Sequence, residues 1–456
     1  MNKLLNATLV LCVTVAFFSC KADNQPVFLY QTDPEVRALA KNNHPEYPGA
    51  KFIVLSDIHY FAPELGTQGS AFEEYLRQDR KMLKEGPAIL DAAIDVIGAT
   101  AADFIILCGD LTKDGERASH EQLAGLLAGI EQQQGKPVYV VPGNHDISNG
   151  DAMSFTGDTA VSVPTVDPAE FRNIYGDFGF AEAIASDTHS LSYIVEPTPG
   201  LWLFALDSCR YRENTPGGHP VTDGKFYDET LVWIEQMLIS AMQQNKAVIG
   251  FFHHGVLEHY SSNEKHFDDY LLDNFEPVSK MFAACGMRFV FTGHYHAQDI
   301  TKKTWRSGLP NHFLFDIETG SLVTHPVPWR LVSISDQTLT IESRRVTAIA
   351  GHAEDFQNFS RTFVLNGMTD IINEALTEYG VPAKDQELLT PQIAQAYVTH
   401  LEGDEQRPDR YFDFTGVSPL GVLVGAVQGD LVRGWYTDLL PSDNDVTIDM
   451  ATGGIL

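Results

Sequence analysis

Cysteine is scarce in this chain, at 5 residues in 456, and basic residues are outnumbered by acidic ones, 31 to 61. No two cysteines lie at C-x-x-C spacing, which excludes a zinc ribbon, so any metal must be held by histidine and carboxylate. Cys12 and Cys20 sit in the N-terminal stretch; Cys108, Cys209 and Cys285 remain, an odd and widely spaced set expected as buried thiols. The formal net charge of −30 repels phosphate backbones and anionic headgroups. Long nucleic acid is therefore not an expected partner, and an anionic substrate must be drawn in by a local cation. No period of 20 to 50 residues recurs, against a solenoid. The long apolar run, Leu4 to Phe18, is too short to span a bilayer comfortably.

That run follows Met-Asn-Lys and precedes Ser19-Cys20-Lys21, the plan of an export signal. Phe17-Phe18-Ser19-Cys20 resembles a bacterial lipoprotein signal, whose cysteine becomes the lipidated first residue, although Phe17 departs from the usual leucine. The expectation is a signal peptide over residues 1–19 and a protein of the bacterial cell envelope, in contact with membrane only through a lipid anchor on Cys20. A plain secretory cut near Ala22, giving a soluble periplasmic or secreted protein, is the alternative. Residues 20–50, with Pro26, Pro34, Pro45 and Pro48, read as a tether.

What is present is a globular balance, 44% hydrophobic with 11% aromatic and 20% charged residues, long enough for about three domains. From Lys51 onward, short β-branched or aromatic runs at Phe52–Leu55, Phe104–Leu107, Val138–Val141, Leu201–Leu206, Val248–Phe252 and Phe289–Phe291 alternate with helical patterns. The helical segments include Ala71–Lys84, Ala88–Ile97, Glu116–Gln133, Leu231–Gln244 and Pro277–Ala284. This alternation predicts an α/β fold. Between Phe313 and Ser343 strands follow one another without helices, which predicts a second, partly antiparallel sheet. Residues 351–456 hold five basic against seventeen acidic residues and two helical patterns, Met368, Ile371, Ile372, Ala375, Leu376 and then Ile393, Tyr397, Leu401. They read as a small, acidic, mostly helical C-terminal domain without visible chemistry.

Five strand-like runs end in the same kind of residue. Phe52–Ser56 runs into Asp57-Ile58-His59, and Phe104–Cys108 into Gly109-Asp110. Val138–Val141 leads to Gly143-Asn144-His145-Asp146, Val248–Phe252 to His253-His254, and Phe289–Thr292 to Gly293-His294-Tyr295-His296. Taken singly each is weak, because a lone Asp-x-His or Gly-Asp at a strand end is usually a turn. Together they are strong. Ligands of open α/β sheets bind beyond the carboxyl ends of strands, so these tips can converge on one crevice. Aspartate, asparagine and histidine suit borderline divalent and trivalent ions such as Zn, Mn, Fe or Co, and there are enough for two ions sharing a carboxylate.

At this point the chain, over residues 51–345, resembles the calcineurin-like metallophosphoesterase superfamily. Ala205-Leu206-Asp207-Ser208 and the Gly-His-Tyr-His ending are most similar to bacterial class III cyclic-nucleotide phosphodiesterases and related glycerophosphodiesterases. The resemblance implies a two-sheet α/β/β/α sandwich, followed here by the helical domain at 346–456. It implies that Asp57, His59 and His296 hold one metal, that Asn144, His253 and His294 hold the other, and that Asp110 bridges them. It implies that a hydroxide bridging the metals is the nucleophile, and that His145 is a catalytic residue facing the scissile phosphate.

Two positions depart from the pattern. Where relatives carry an acidic residue three positions after the bridging aspartate, this chain has Lys113, with Asp114 next, which leaves the orienting partner of His145 open. Gly255, not proline, follows the His-His pair, and His254 remains an alternative ligand to His253. Tyr60 and Tyr295 either line the pocket or pack on neighbouring strands. His219, in a Gly/Pro-rich loop, either covers the site or is simply exposed. Arg330, after Gly320-Ser321-Leu322, His325 and Pro326, either holds a phosphate or is a structural ion-pair partner. His189, His259, His266 and His352 carry no spacing signal. The expected activity is hydrolysis of small phosphoesters, most of all phosphodiesters. Phosphomonoesterase or nucleotide pyrophosphatase activity on the same core is one alternative, and a non-catalytic surface binding lipoprotein is another.

Overall fold

The computed structural model describes residues 26–77, 79–306 and 312–456. The predicted signal and the Cys20 anchor therefore lie outside the described residues, among which no helix is long and apolar enough to cross a membrane.

Two sheets stack face to face. The first has six strands in the order Asp445–Asp449, Thr338–Arg345, Pro328–Ser335, Ala50–Leu55, Phe104–Leu107 and Val138–Val140. Its last three run parallel, with Leu55 level with Leu107 and Leu107 level with Val140. The second has seven, with Ala247–Phe251 between Leu201–Ala205 and Phe289–Thr292, all three parallel. Side chains of a strand alternate between faces, and both faces are buried here. Phe52 and Val54 point between the sheets to meet Leu203, Ile249 and Phe291, while Ile53 and Leu55 point outward under helices Gly86–Gly98 and Arg117–Gln134. Phe52 stacks on Phe104 at 4.9 Å and meets Phe291 edge-on at 5.3 Å, locking one sheet to the other. Helices Asp228–Gln243 and Phe275–Ala284 cover the outer face of the second sheet, completing the α/β/β/α sandwich. The three remaining cysteines are free and buried.

Two segments depart from the reading of the sequence, and a third, helical as expected, adds a closing strand. The stretch expected to be a tether is packed on the body from Phe28 onward. Asp33 caps the helix Pro34–Lys41 by accepting from the amides of Glu35 and Val36, and Phe28, Tyr30 and Ala40 bury against the cluster containing Trp202, Leu238 and Met242. Tyr47 is buried too, its hydroxyl donating to the Val248 carbonyl. A proline-rich composition conceals these few apolar anchors. Second, the helix expected over Ala71–Lys84 spans only Ser70–Leu76. The Asp79 carboxylate accepts from the amides of Arg80 and Lys81, at 2.7 and 3.0 Å, and turns the chain away from the helical path. Third, helices Phe356–Glu378 and Ala383–Glu402 pair through a cluster that includes Met368, Ile372, Leu389 and Tyr397, but the chain then returns to the body. Its last strand lies at the edge of the first sheet, with Ile448 opposite Leu339 and Val446 opposite Ile341.

Candidate metal centre

The carboxyl ends of strands Ala50–Leu55, Phe104–Leu107, Val138–Val140, Ala247–Phe251 and Phe289–Thr292 open at the same end of the sandwich, and each carries one of the polar tips. The backbone there is held in an unusual conformation. Asp57, His59, Asp110, His294 and His296 all have positive φ, between 42° and 80°. Residues other than glycine avoid that region, and such strain gathers at functional sites because the surrounding structure enforces it. The enforcement is visible. The Ser321 hydroxyl donates to the Asp57 carbonyl at 2.8 Å, the Ser56 hydroxyl to Asp57 Oδ2 at 2.5 Å, and the His294 amide to the same oxygen at 3.0 Å. The Gly320-Ser321-Leu322 segment is thus a brace under Asp57.

Ligand atoms of Asp57, His59, Asp110 and His296 lie within 4.8 Å of one another, as do those of Asp110, His253 and His294. Asp110 belongs to both groups. Its Oδ2 is 3.4 Å from Nε2 of His253 and 3.6 Å from Nε2 of His59, while Oδ1 accepts from the His145 amide. Asn144 joins the second group, with Oδ1 3.1 Å from Nε2 of His253, whose Nδ1 faces the Cys108 carbonyl at 2.8 Å. That second contact fixes the ring, a common arrangement around metal-ligating histidines. All seven residues expected to hold metal therefore meet in one place.

The donor set fits a pair of cations. Asp57 Oδ1 is buried without an aligned hydrogen bond, although Nε2 of His296 is 3.2 Å away, and the Nε2 atoms of His59 and His296 approach to 3.1 Å. Lone pairs converging in a buried space call for a cation. Burial pushes His59 and His294 well below the usual imidazole range, so they are neutral and ready to coordinate. Burial opposes ionisation of Asp110, but the imidazoles of His253 and His145 outweigh it and hold that carboxyl well below its usual value.

The remaining candidates separate cleanly. His145 lines the cleft, and its Nδ1 lies 2.7 Å from Asp114 Oδ1, so the orienting carboxylate sits one position later than in the pattern that the sequence resembles. Lys113, fully buried between Asp114 and Glu116, holds that carboxylate ionised; burial opposes this, but the ammonium and His145 keep Asp114 well below the carboxylate range. His254 is not among the clustered ligands: Nδ1 faces the Ser208 hydroxyl at 2.7 Å and Nε2 the Thr222 carbonyl at 2.8 Å, and its ring supports His294 at 4.5 Å. Tyr295 lines the cleft, its hydroxyl accepting from Trp435 Nε1 at 2.7 Å. His219, 92% exposed, pairs with Asp151 at the cleft's mouth.

Two candidates are corrected. Tyr60 points away, its hydroxyl donating to Gln122 at 3.1 Å, because the strained turn at His59 sends the next side chain into the core under the helices. Arg330 is fully buried between strands and donates to the carbonyls of Glu318 and Asp443 and to the Ser343 hydroxyl. It cannot reach a phosphate, and it serves backbone carbonyls in place of the expected ion pair.

The cleft encloses about 320 Å³ and takes part of its wall from residues that the sequence reading missed, Asp79, Arg80 and Lys81. Arg80 and Lys81, the latter 3.5 Å from Asp79, are the local cations that so acidic a molecule requires. Arg80 donates to the Tyr397 hydroxyl at 2.8 Å, tying the C-terminal helices to the site. Arg80, Tyr270 and Tyr295 also form one wall of a second cavity, of about 460 Å³, lined otherwise mainly by apolar side chains of those helices, such as Ile372, Leu376 and Val432.

Residues 50–298, more than half of the chain, match the sequence profile of the calcineurin-like phosphoesterases. The chain belongs to that family. Among curated proteins it is 32% identical over 130 residues to a probable cyclic nucleotide phosphodiesterase of Rhodopseudomonas palustris, a match covering 27% of this chain and 40% of the relative's length. Among solved structures it is similar to a dimetal phosphatase from Danio rerio, at TM-score 0.45 and 16% identity, covering 66% of this chain and 97% of that one. It is also similar to a purple acid phosphatase from yellow lupin, at TM-score 0.40 and 13% identity, covering 66% and 52%. The match to the R. palustris relative spans less than half of that protein's length, and the His/Asp cluster of this calcineurin-like phosphoesterase domain occupies the strand tips where α/β folds place their sites.

Proposed function

We propose that the chain is a hydrolase of small phosphodiesters that works with two metal ions. The observation that carries the reading is the meeting of two ligand clusters on Asp110, in a cleft lined by Arg80 and Lys81. Asp57, His59 and His296 would hold one ion, and Asn144, His253 and His294 the other, with Asp110 between them. Mn, Zn, Fe or Co ions held there would supply Lewis acidity toward phosphoryl oxygens and toward water. The chain's own groups bind, orient and move protons. Arg80 and Lys81 neutralise the entering phosphate, offsetting the charge of the surrounding surface. Burial opposes protonation of His145, but the Asp110 and Asp114 carboxylates favour its imidazolium; Asp114 fixes Nδ1, and Nε2 lies 4.0 Å from Asp110 Oδ2, on the cleft side. From that nitrogen His145 donates a proton to the departing ester oxygen as the P–O bond breaks.

The apolar cavity behind Arg80, Tyr270 and Tyr295 favours a diester over a monoester, because it offers space for a second ester substituent beside the phosphate site. The name of the R. palustris relative points the same way. Protein loaded with Mn or Zn is expected to cleave an aryl phosphodiester with higher kcat/KM than the matching monoester. The reverse order would redirect the reading to phosphomonoesters or nucleotide pyrophosphates, and no cleavage of either with both ions bound would leave a binding protein. The N-terminal sequence supports an envelope location through lipidated Cys20; fatty-acid labelling that survives Cys20→Ala would overturn it.

A further inference from the structure

A second cluster of acidic groups lies where the body meets the C-terminal segment. Asp299, buried, opens the strand Asp299–Thr304 three residues after His296. Facing it are Asp404 and Glu405, just beyond helix Ala383–Glu402, and Asp438, Asp443 and Asn444, ahead of the last strand. Ligand atoms of Asp299, His400 and Glu405 lie within 4.8 Å of one another, and so do those of Asp404, Asp438 and Asp443. Asp404 and Asp443 exchange amide hydrogen bonds of 2.7 and 2.8 Å, and Asp443 Oδ1 accepts from the amide of Ile300, the residue after Asp299. The two groups are thus one neighbourhood.

Five carboxylates outnumber the cations near them, Arg330 and His259. Among the described residues no lysine or arginine makes an ion pair with any of these five carboxylates. Arg330, the nearest guanidinium, bonds no carboxylate: it donates to the backbone carbonyls of Asp299, Asp443 and Glu318 and to Ser343, so it offsets part of the charge from a distance. Asp299 faces His259, which Asp316 and Glu318 also claim, and Glu405 Oε1 faces His400. Glu405 is only 6% exposed, yet its Oε2 has no hydrogen-bond partner, and neither have Asp438 Oδ1 nor Asn444 Oδ1. Burial and the neighbouring Asp299 push Glu405 up to about 9 and Asp443 up to about 10, as crowding of negative charge beyond what the nearby cations offset would do. A protein interior keeps such groups when they are paired or coordinate a metal.

We propose that Asp299, Asp404, Glu405, Asp438 and Asp443, with the side-chain carbonyl of Asn444, form a site for a calcium-type divalent cation, separate from the phosphoesterase cleft. The unpartnered atoms are almost all oxygens, the ligands of a hard cation, and their number and irregular spacing suit calcium, which accepts six to eight oxygens, better than magnesium, which demands a regular octahedron. The ion clamps the C-terminal segment onto the strand that leaves the Gly-His-Tyr-His turn. The site does not depend on the phosphodiesterase reading.

The test uses full-length protein stripped with chelator and titrated with CaCl2, read by thermal unfolding and calorimetry. Calcium is expected to raise Tm by several degrees in the wild type. The shift should persist in Asp110→Asn, which disables the cleft, and shrink in Asp438→Asn, whose calcium-free form should be no less stable than the wild type because a repelling charge is gone. No shift in the wild type, a shift undiminished in Asp438→Asn, or a response to zinc and not calcium would overturn the proposal. Should Asp438→Asn fail to fold, calcium anomalous scattering from wild-type crystals decides: density among these oxygens supports the site, and none at millimolar calcium refutes it.

Discussion

At the scale of single residues, the site turns on which atom each side chain offers. Asp110 alone belongs to both ligand groups, so replacing its carboxylate should cost more than any other change. His145 and Asp114 form a pair with separable roles. His145→Ala should lower kcat by about 10²- to 10⁴-fold, the usual range for a positioned acid. Asp114→Asn keeps the ring in place but withdraws the carboxylate that favours imidazolium; kcat should fall with KM little changed, and the alkaline limb of the pH–kcat profile should move to lower pH. An unmoved limb would make Asp114 a packing residue only. Arg330→Lys should lower Tm and leave the KM of the folded fraction as it was, since Arg330 bonds to carbonyls away from the cleft. The clustered histidines and carboxylates were legible because each follows an apolar strand. The His145–Asp114 pairing was not, because a one-residue offset after Asp110 can be resolved only by the turn that brings Asp114 under the ring.

At the scale of elements, the strand tips depend on close backbone approach. A Cβ on Gly293 would lie 1.9 Å from the Ser56 hydroxyl oxygen and 2.4 Å from Asp57 Oδ2. Gly293→Ala should therefore displace Asp57 and reduce bound metal, measured by elemental analysis on folded protein. Helix Arg117–Gln134 makes a second prediction. Its His120 is fully buried, with Nε2 2.8 Å from the Asp146 carbonyl and Nδ1 2.9 Å from the Tyr175 hydroxyl. Burial lowers it to about 4, so between about pH 6.5 and 4 the unfolded chain binds a proton that the folded chain refuses. Stability should thus fall on acidification through that window, by about 1.4 kcal/mol per pH unit from this group, and His120→Gln should flatten the slope. Helix ends were the least legible elements. Apolar residues at Met82 and Leu83 extend the pattern past Leu76, and only the Asp79 turn reveals that the chain has left the helix to deliver Arg80 and Lys81. The N-terminal segment was misread for a related reason: its polar, proline-rich composition hides the docking of Phe28, Tyr30 and Tyr47.

At the scale of the molecule, a net charge of −30 surrounds a cleft built for an anion. Long-range repulsion opposes encounter while Arg80 and Lys81 act only at short range, so screening should help. For an anionic diester, kcat/KM should rise as salt goes from about 0.01 to 0.15 M, where the Debye length shrinks from about 30 to 8 Å. A fall would mean that the local cations dominate at a distance too. The α/β class could be read from alternating runs, and the sandwich from the family resemblance, but the closing strand Asp445–Asp449 could not, since its pairing with Thr338–Arg345 joins segments a hundred residues apart and leaves no local signal.

The central claim is that distant strand tips assemble a two-metal site around Asp110. Anomalous diffraction from crystals grown with manganese tests it most directly. The account predicts two peaks about 3.5 to 4 Å apart, one on either side of the Asp110 carboxylate, both lost in Asp110→Asn. A cleft without peaks under metal-replete conditions, or ions bound away from Asp57, Asp110 and His253, would contradict it.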